Sequence, residues 1–239
     1  GPTVYNYAHI GNARPPIVSD ILVRLLRHLY KKVTYVSNIT DIDDKIINAS
    51  KDQNRPISEI TKKYEKIYNE NLNELGIDPP DFQPRATEHI PEMIDQIKAL
   101  IKNGHAYEAE GHVLFSVNTF PGYGSLSGRD KEEQIAGSRV EVAPYKKDPI
   151  DFILWKPSIE DQPGWDSPWG FGRPGWHLEC SAMSEKTLGV PFDIHTGGQD
   201  LLFPHHENEL AQCCGVHNNL DNISSYARYW IHNGMIRFD

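Results

Sequence analysis

Cysteine is scarce in this sequence: Cys180, Cys213 and Cys214 are the only three in 239 residues. An odd, small number is no disulfide framework, so a reducing compartment, the cytoplasm, is the expected location. No apolar run is long enough to cross a bilayer and nothing resembles a secretory leader, so no membrane partner is expected. Basic side chains are also short, with 24 Lys and Arg against 33 Asp and Glu and a net charge of −9. That balance weighs against a protein whose affinity comes mainly from neutralising phosphates. There is no internal repeat and no low-complexity tract. An initiator methionine is lacking too: the chain opens inside the β-branched stretch Gly1-Pro2-Thr3-Val4-Tyr5 and closes on Ile236-Arg237-Phe238-Asp239 without a polar tail. An excerpt from a longer polypeptide is expected.

What is present is ordinary for a globular chain, with 38% hydrophobic and 24% charged residues, enough for one large domain or a core domain with an insertion. Thr3 to Tyr7 has strand character, and His9-Ile10-Gly11-Asn12 follows as a turn. Pro15 and Pro16 fit the first turn of a helix, where a missing N–H is harmless. Ile21, Leu22, Leu25, Leu26 and Leu29 then fall at helical spacing, and Val33 to Ile39 reads as a second strand. Strand, helix, strand in this order is a βαβ unit, which predicts a parallel sheet. Further helices are predicted from a Ser58 cap to Gly76, with Ile60, Tyr64, Ile67, Tyr68, Leu72 and Leu75 on one face, and from Pro91 to Lys102 before Gly104. Ala106 to about Ser138 changes to short strands and Gly-rich turns, the look of an inserted subdomain. A strand resumes at Asp151 to Trp155, and helices follow near Ser181–Leu188 and His205–Cys214.

Two segments carry most of the chemistry, Trp176-His177-Leu178-Glu179-Cys180 and Pro204-His205-His206-Glu207-Asn208-Glu209. If a helix starts at Pro204, His205 and Glu209 lie one turn apart on one face. A thiolate, an imidazole and a carboxylate brought together make a mixed-ligand zinc site, and three protein ligands leave a position for a substrate. The gap from Cys180 to His205 is long, so spacing alone leaves metal binding and ordinary buried residues both open. His9 to Asn12 lies between strand and helix, where N–H groups and the helix dipole favour an anion and Gly11 permits close approach. It is neither a P-loop nor a dinucleotide fingerprint. A second Gly-rich turn, His195 to Asp200, follows a strand at Pro191 to Ile194, a usual place for nucleotides in open α/β sheets.

Taken in order, these segments resemble the cysteinyl-tRNA synthetase family of class I aminoacyl-tRNA synthetases. The likeness rests on Gly1–Tyr5, the His9–Asn12 form of the "HIGH" motif, Asn38-Ile39-Thr40-Asp41-Ile42-Asp43-Asp44-Lys45, Gly172–Met183, Phe203–Glu209 and Tyr229–Gly234. It implies an α/β fold, a Rossmann-like parallel-sheet nucleotide-binding core in two halves, 1–84 and 166–239, around an α+β connective-peptide insertion at 85–165. It implies zinc on Cys180, His205 and Glu209, with a further cysteine just ahead of Gly1. L-cysteine would lie near Gly1, Thr40, Trp176 and His195. His9 and Asn12 would act on the ATP phosphates, with Gly11, Gly197, Gly198 and Asp200 also at the nucleotide and Mg²⁺ accompanying it. The expected partners are L-cysteine, ATP and tRNA(Cys), and the expected state is a monomer. The mobile KMSKS loop and the anticodon-binding helices would lie after Asp239. Rival readings are the cysteine ligase of mycothiol synthesis, a zinc hydrolase with Glu207 or Glu209 as base, and a non-catalytic paralogue.

Overall fold

Helix α1 (Ile10–Leu29) begins well ahead of the two prolines expected in its first turn: Pro15 and Pro16 lie inside it. The start is fixed by the His9 N–H, which donates to the Asn12 Oδ1 at 3.0 Å. The first N–H groups of any helix lack helical acceptors, and the prolines extend that deficit without breaking the helix. The computed structural model describes residues 1–130, 132–133, 135 and 143–236. Among them no helix is long and apolar enough to cross a membrane. The chain divides into two units: Gly1–Glu88 with Thr196–Gln199 and the described residues from Ile231 on, and His89–His195 with Asp200–Trp230.

In the first unit the expected strands at 3–7 and 33–39 pair only through isolated parallel bridges, Thr3 to Thr40, Val36 to Phe82 and Ile39 to Arg85. The segment around Ile39 therefore lies between the other two. Val4, Ile39, Ile60, Tyr64 and Tyr68 form the core beneath them. Helix α2 (Asp44–Gln53) is capped by Asp43, whose carboxylate accepts the Lys45 N–H at 2.8 Å. Helix α3 (Ile57–Glu74) buries Ile60, Tyr64 and Tyr68 and stops at Gly76, whose φ of +75° suits glycine. Pro56, not Ser58, is its N-cap, because the fixed φ of proline already sets the entry to the helix. Leu75 is exposed.

Helix α1 buries Ser19, Asp20 and Val23. Ile21, Leu25 and Leu29 of its apolar series are instead 64%, 54% and 62% exposed. Its inner face is held by polar groups: Ser19 Oγ lies 3.0 Å from Thr196 Oγ1, and Asp20 accepts the Asp78 N–H at 3.1 Å.

In the second unit α4 (Ile90–Lys102) packs on α5 (Trp176–Leu188) and α6 (Glu207–Val216). Strands β1 (Ala106–Ala109), β2 (His112–Phe115), β3 (Phe152–Pro157) and β4 (Gly172–Pro174) form an antiparallel sheet in that order. Its apolar residues, Leu114, Phe115, Leu154 and Trp155, are fully buried. Within the expected strand-and-turn run from Ala106 to about Ser138, residues 131, 134 and 136–138 lie outside the described residues. Strands β5 (Phe192–Gly198) and β6 (Ala227–Asn233) form a two-stranded parallel sheet, and both cross from the second unit into the first. The architecture is mixed α/β.

Candidate metal centre and active site

Two helices and an irregular turn assemble the chemically richest cluster, in the second unit. Cys180 is on α5, and His205 is in a π-type turn (Leu202–His206) leading into α6, which carries Glu209. The helix starts later than Pro204, at Glu207, yet His205 and Glu209 still meet, with Nε2 and Oε1 3.0 Å apart. One donor atom each from Cys180, His205 and Glu209 lie within 4.8 Å of one another, and the same holds for His195, His206 and Glu209. Glu209 belongs to both trios.

The Glu209 carboxylate has no solvent exposure. Burial alone would raise its pKa, but His195 and His205 outweigh burial and hold it well below the usual carboxylate range. Oε2 accepts a hydrogen bond from the Tyr226 hydroxyl at 2.8 Å and lies 3.1 Å from His195 Nε2. Oε1 is buried with no hydrogen-bond partner, although it faces the His205 nitrogen. A buried carboxylate oxygen left in that state is costly unless a cation satisfies it. Together with a soft sulfur and an imidazole nitrogen, this orphaned oxygen fits a zinc-type ion.

Aromatic and imidazole rings close round the trio. Trp176 stacks on His205 with centroids 4.2 Å apart and keeps 42% of its surface exposed. His177 Nδ1 lies 2.8 Å from His205 Nδ1. Burial, then repulsion from His205, pushes the His177 pKa well down, so it is neutral and can accept from its neighbour. On the other side Trp230 packs edge-on to His195 at 4.8 Å and tilted to His206 at 5.4 Å.

Glu207 serves a different purpose. It is fully buried and accepts N–H bonds from Ser127 at 2.9 Å and Leu126 at 3.5 Å. Burial raises its pKa against the pull of these donors. The carboxylate pins the 124–127 loop.

His9, Gly11, Asn12, Gly197 and Gly198 fall in the first unit. The Asn12 oxygen is committed to the His9 N–H, so only its N–H₂ group can serve a phosphate. A Cβ on Gly1 would collide with the Asn38 carbonyl, so that position needs glycine, whereas one on Gly11 would meet only the exposed His9 ring, at 2.9 Å, which can turn aside. Thr40 is buried, with its N–H donating to Pro2 O at 3.0 Å and its carbonyl accepting from Val4 at 3.2 Å. Gly197 and Gly198 are buried at the end of β5. Asp200 is exposed, in a 3₁₀ turn of the second unit.

A family model described as the catalytic domain of class I (C) tRNA synthetases matches residues 1–239. The chain belongs to that family. This synthetase domain is 62% identical over 236 residues to the cysteine–tRNA ligase of Parvibaculum lavamentivorans, covering 99% of the chain and 50% of the relative. It is 61% identical over 238 residues to that of Rhodospirillum rubrum, with the same coverages. The domain thus spans about half the length of these curated relatives. Among solved structures it resembles the Mycobacterium tuberculosis methionyl-tRNA synthetase bound by methionyl-adenylate, with a TM-score of 0.70 at 13% identity over 97% of this chain and 55% of that one. It also resembles the Plasmodium falciparum arginyl-tRNA synthetase, with a TM-score of 0.59 at 13% identity over 98% and 42%. At such low identity the likeness speaks for the fold, that of class I synthetases.

Sequence reasoning about this synthetase domain singled out Cys180, His205 and Glu209, whose donor atoms lie within 4.8 Å of one another. It missed His177, His206, Tyr226 and Trp230. His206 and Trp230 lay inside segments already singled out, whereas Tyr226 reaches Glu209 from 17 positions away and gave no local signal.

Proposed function

We propose that this synthetase domain activates L-cysteine with ATP and passes the cysteinyl group to the 3′ end of tRNA(Cys). The observation that carries the reading is the Cys180–His205–Glu209 trio, buried at His205 and Glu209 and half-buried at Cys180, with its orphaned oxygen, in a chain 62% identical to a cysteine–tRNA ligase. The trio would hold zinc, with a further cysteine expected just ahead of Gly1. When bound, zinc supplies a soft centre that favours sulfur over oxygen. That matters because a hydrophobic pocket alone separates such near-isosteres by only about 10²-fold.

The rest of the work falls to the chain's own groups. By the family likeness, Trp176 and His195 of the second unit and Gly1 and Thr40 of the first are each assigned to the cysteine substrate. The cysteine carboxylate attacks the α-phosphorus of Mg²⁺-bound ATP, the bond to the bridging oxygen breaks, and pyrophosphate leaves with the electron pair. A ribose hydroxyl of the tRNA terminus then attacks the carbonyl carbon, loses its proton, and displaces AMP. No protein nucleophile is required. The His9 ring, the Asn12 amide and the N-terminal N–H groups of α1 stabilise phosphate charge. Gly11, Gly197 and Gly198 let the nucleotide lie against the backbone, and Asp200 is assigned to the adenosine. On this reading 85–165 is the connective-peptide insertion in a Rossmann-like core, and the protein is a cytoplasmic monomer.

A zinc hydrolase is disfavoured by the same residues. Glu207 is bound to the 126–127 backbone, and Glu209 is needed in the ligand set. The deciding experiment supplies the full-length parent protein with labelled cysteine, ATP and tRNA, with serine as control. Cysteine-specific label on tRNA is expected. Pyrophosphate release without charged tRNA would transfer the assignment to an amino-sugar ligase, and neither signal would mean a non-catalytic paralogue.

A further inference from the structure

We infer that Tyr226 is the positioning residue of the metal centre, its hydroxyl fixing the Glu209 carboxylate so that Oε1 is the oxygen offered to the ion. The inference rests on the zinc reading above and adds a residue to it.

The geometry leaves the phenol one task. Tyr226 has 0% exposure. Its oxygen is 2.8 Å from Glu209 Oε2 and 3.4 Å from the Cys180 carbonyl, so it touches two of the three residues in the trio. A hydroxyl has one proton, and the shorter contact to a carboxylate takes it. Ser184, one turn beyond Cys180 on α5, works to lower the phenol's pKa, while burial and Glu209 raise it. The ring cannot swing away: it is edge-on to Phe192 at 4.9 Å and to His195 at 5.6 Å.

The consequence lies in the carboxylate's two oxygens. With Oε2 held by Tyr226, rotation of the Glu209 carboxylate would break a charge-assisted hydrogen bond. Oε1 is thereby left buried without a donor and 3.0 Å from His205 Nε2. Outer groups that orient a metal ligand are typically worth about 10–100-fold in metal affinity.

The test uses the full-length protein stripped with a chelator and titrated with Co²⁺, reading the visible d–d absorption and, by competition, zinc affinity. Tyr226→Phe keeps the ring and removes the hydroxyl. A loss of about 10–100-fold in affinity and a changed cobalt spectrum are expected, with circular dichroism like the parent's. Unchanged affinity and spectrum in Tyr226→Phe would overturn the inference. Phe192→Leu loosens the ring packing but spares the hydroxyl, and an equal loss there would also overturn it, in favour of packing. Should Tyr226→Phe fail to fold, fluorotyrosine at position 226 decides, since it keeps the ring and makes the hydroxyl a stronger donor to Glu209: a changed cobalt spectrum is expected, and an unchanged one refutes the role. A parent protein that takes up no cobalt would remove the metal reading itself, an outcome distinct from a binding parent with an indifferent variant.

Discussion

Glu207 and Glu209 are separated by one residue and neither is exposed, yet their surroundings push the two carboxyl groups in opposite directions. The difference is what each faces. Glu209 meets two imidazoles, whereas Glu207 meets a loop of neutral N–H groups that do not fully offset burial. Replacing Glu207 by Gln would keep one oxygen as acceptor but turn an NH₂ toward the other of the Leu126 and Ser127 N–H groups. We expect a loss of about 1–3 kcal/mol in a urea melt, with metal content unchanged by atomic emission. Metal loss without destabilisation would mean that Glu207 belongs to the ligand set. The two glutamates also mark how far the sequence could be read. The four-residue step from His205 to Glu209 brings them together under helical geometry, so the pair was legible. That Glu207 serves the 124–127 loop and Tyr226 serves Glu209 depended on how that loop and the turn ahead of β6 pack, which no local pattern records.

Among the elements, α1 departed most from its pattern. The helix was legible, but two of its features were not. Proline preference placed the start too late, because the Asn12–His9 cap outweighs it. Of the apolar series, Ile21, Leu25 and Leu29 are exposed and Leu22 and Leu26 are half-buried beside the buried Ser19, Asp20 and Val23. Salt bridges add to that contact: Arg24 reaches Asp20 at 2.7 Å and Asp78 at 3.0 Å, and Arg27 reaches Asp81 at 3.0 Å. Burial of Asp20 works to raise its pKa, but Arg24 and the Asp78 N–H prevail and lower it. Asp81 is lowered chiefly by the Tyr35 N–H, then by Arg27. A carboxyl lowered in the folded state lends stability that is present above its unfolded pKa and disappears as pH falls through the folded value. The first unit should therefore weaken below pH 3.8, the ordinary value of both groups. Asp20→Asn should reduce stability at neutral pH and flatten the acid limb of the urea midpoint against pH. An unchanged slope would show that the α1 anchors carry no pH dependence.

For the whole molecule, the order of motifs made the fold class readable before any single motif was decisive. Of the four crossings between the two units, two fall inside β5 and β6, where the strand pattern continues unbroken, one just ahead of α4 and one in the turn after β5. The net charge of −9 belongs to a chain that spans about half the length of the curated relatives it matches. The trio of Cys180, His205 and Glu209 has one more consequence, in chain entropy. An ion bound there ties α5 to the start of α6 across roughly 25 residues, acting as a stitch that shrinks the unfolded ensemble. For a covalent tie of that span the loop-closure term is on the order of 3 kcal/mol, and a metal tie gains in the same way because the unfolded chain does not preform the site. Stripping the full-length protein with a chelator should then lower its melting temperature by several degrees, with recovery on adding zinc. A melting curve indifferent to chelation would mean that the segment is held closed by packing alone.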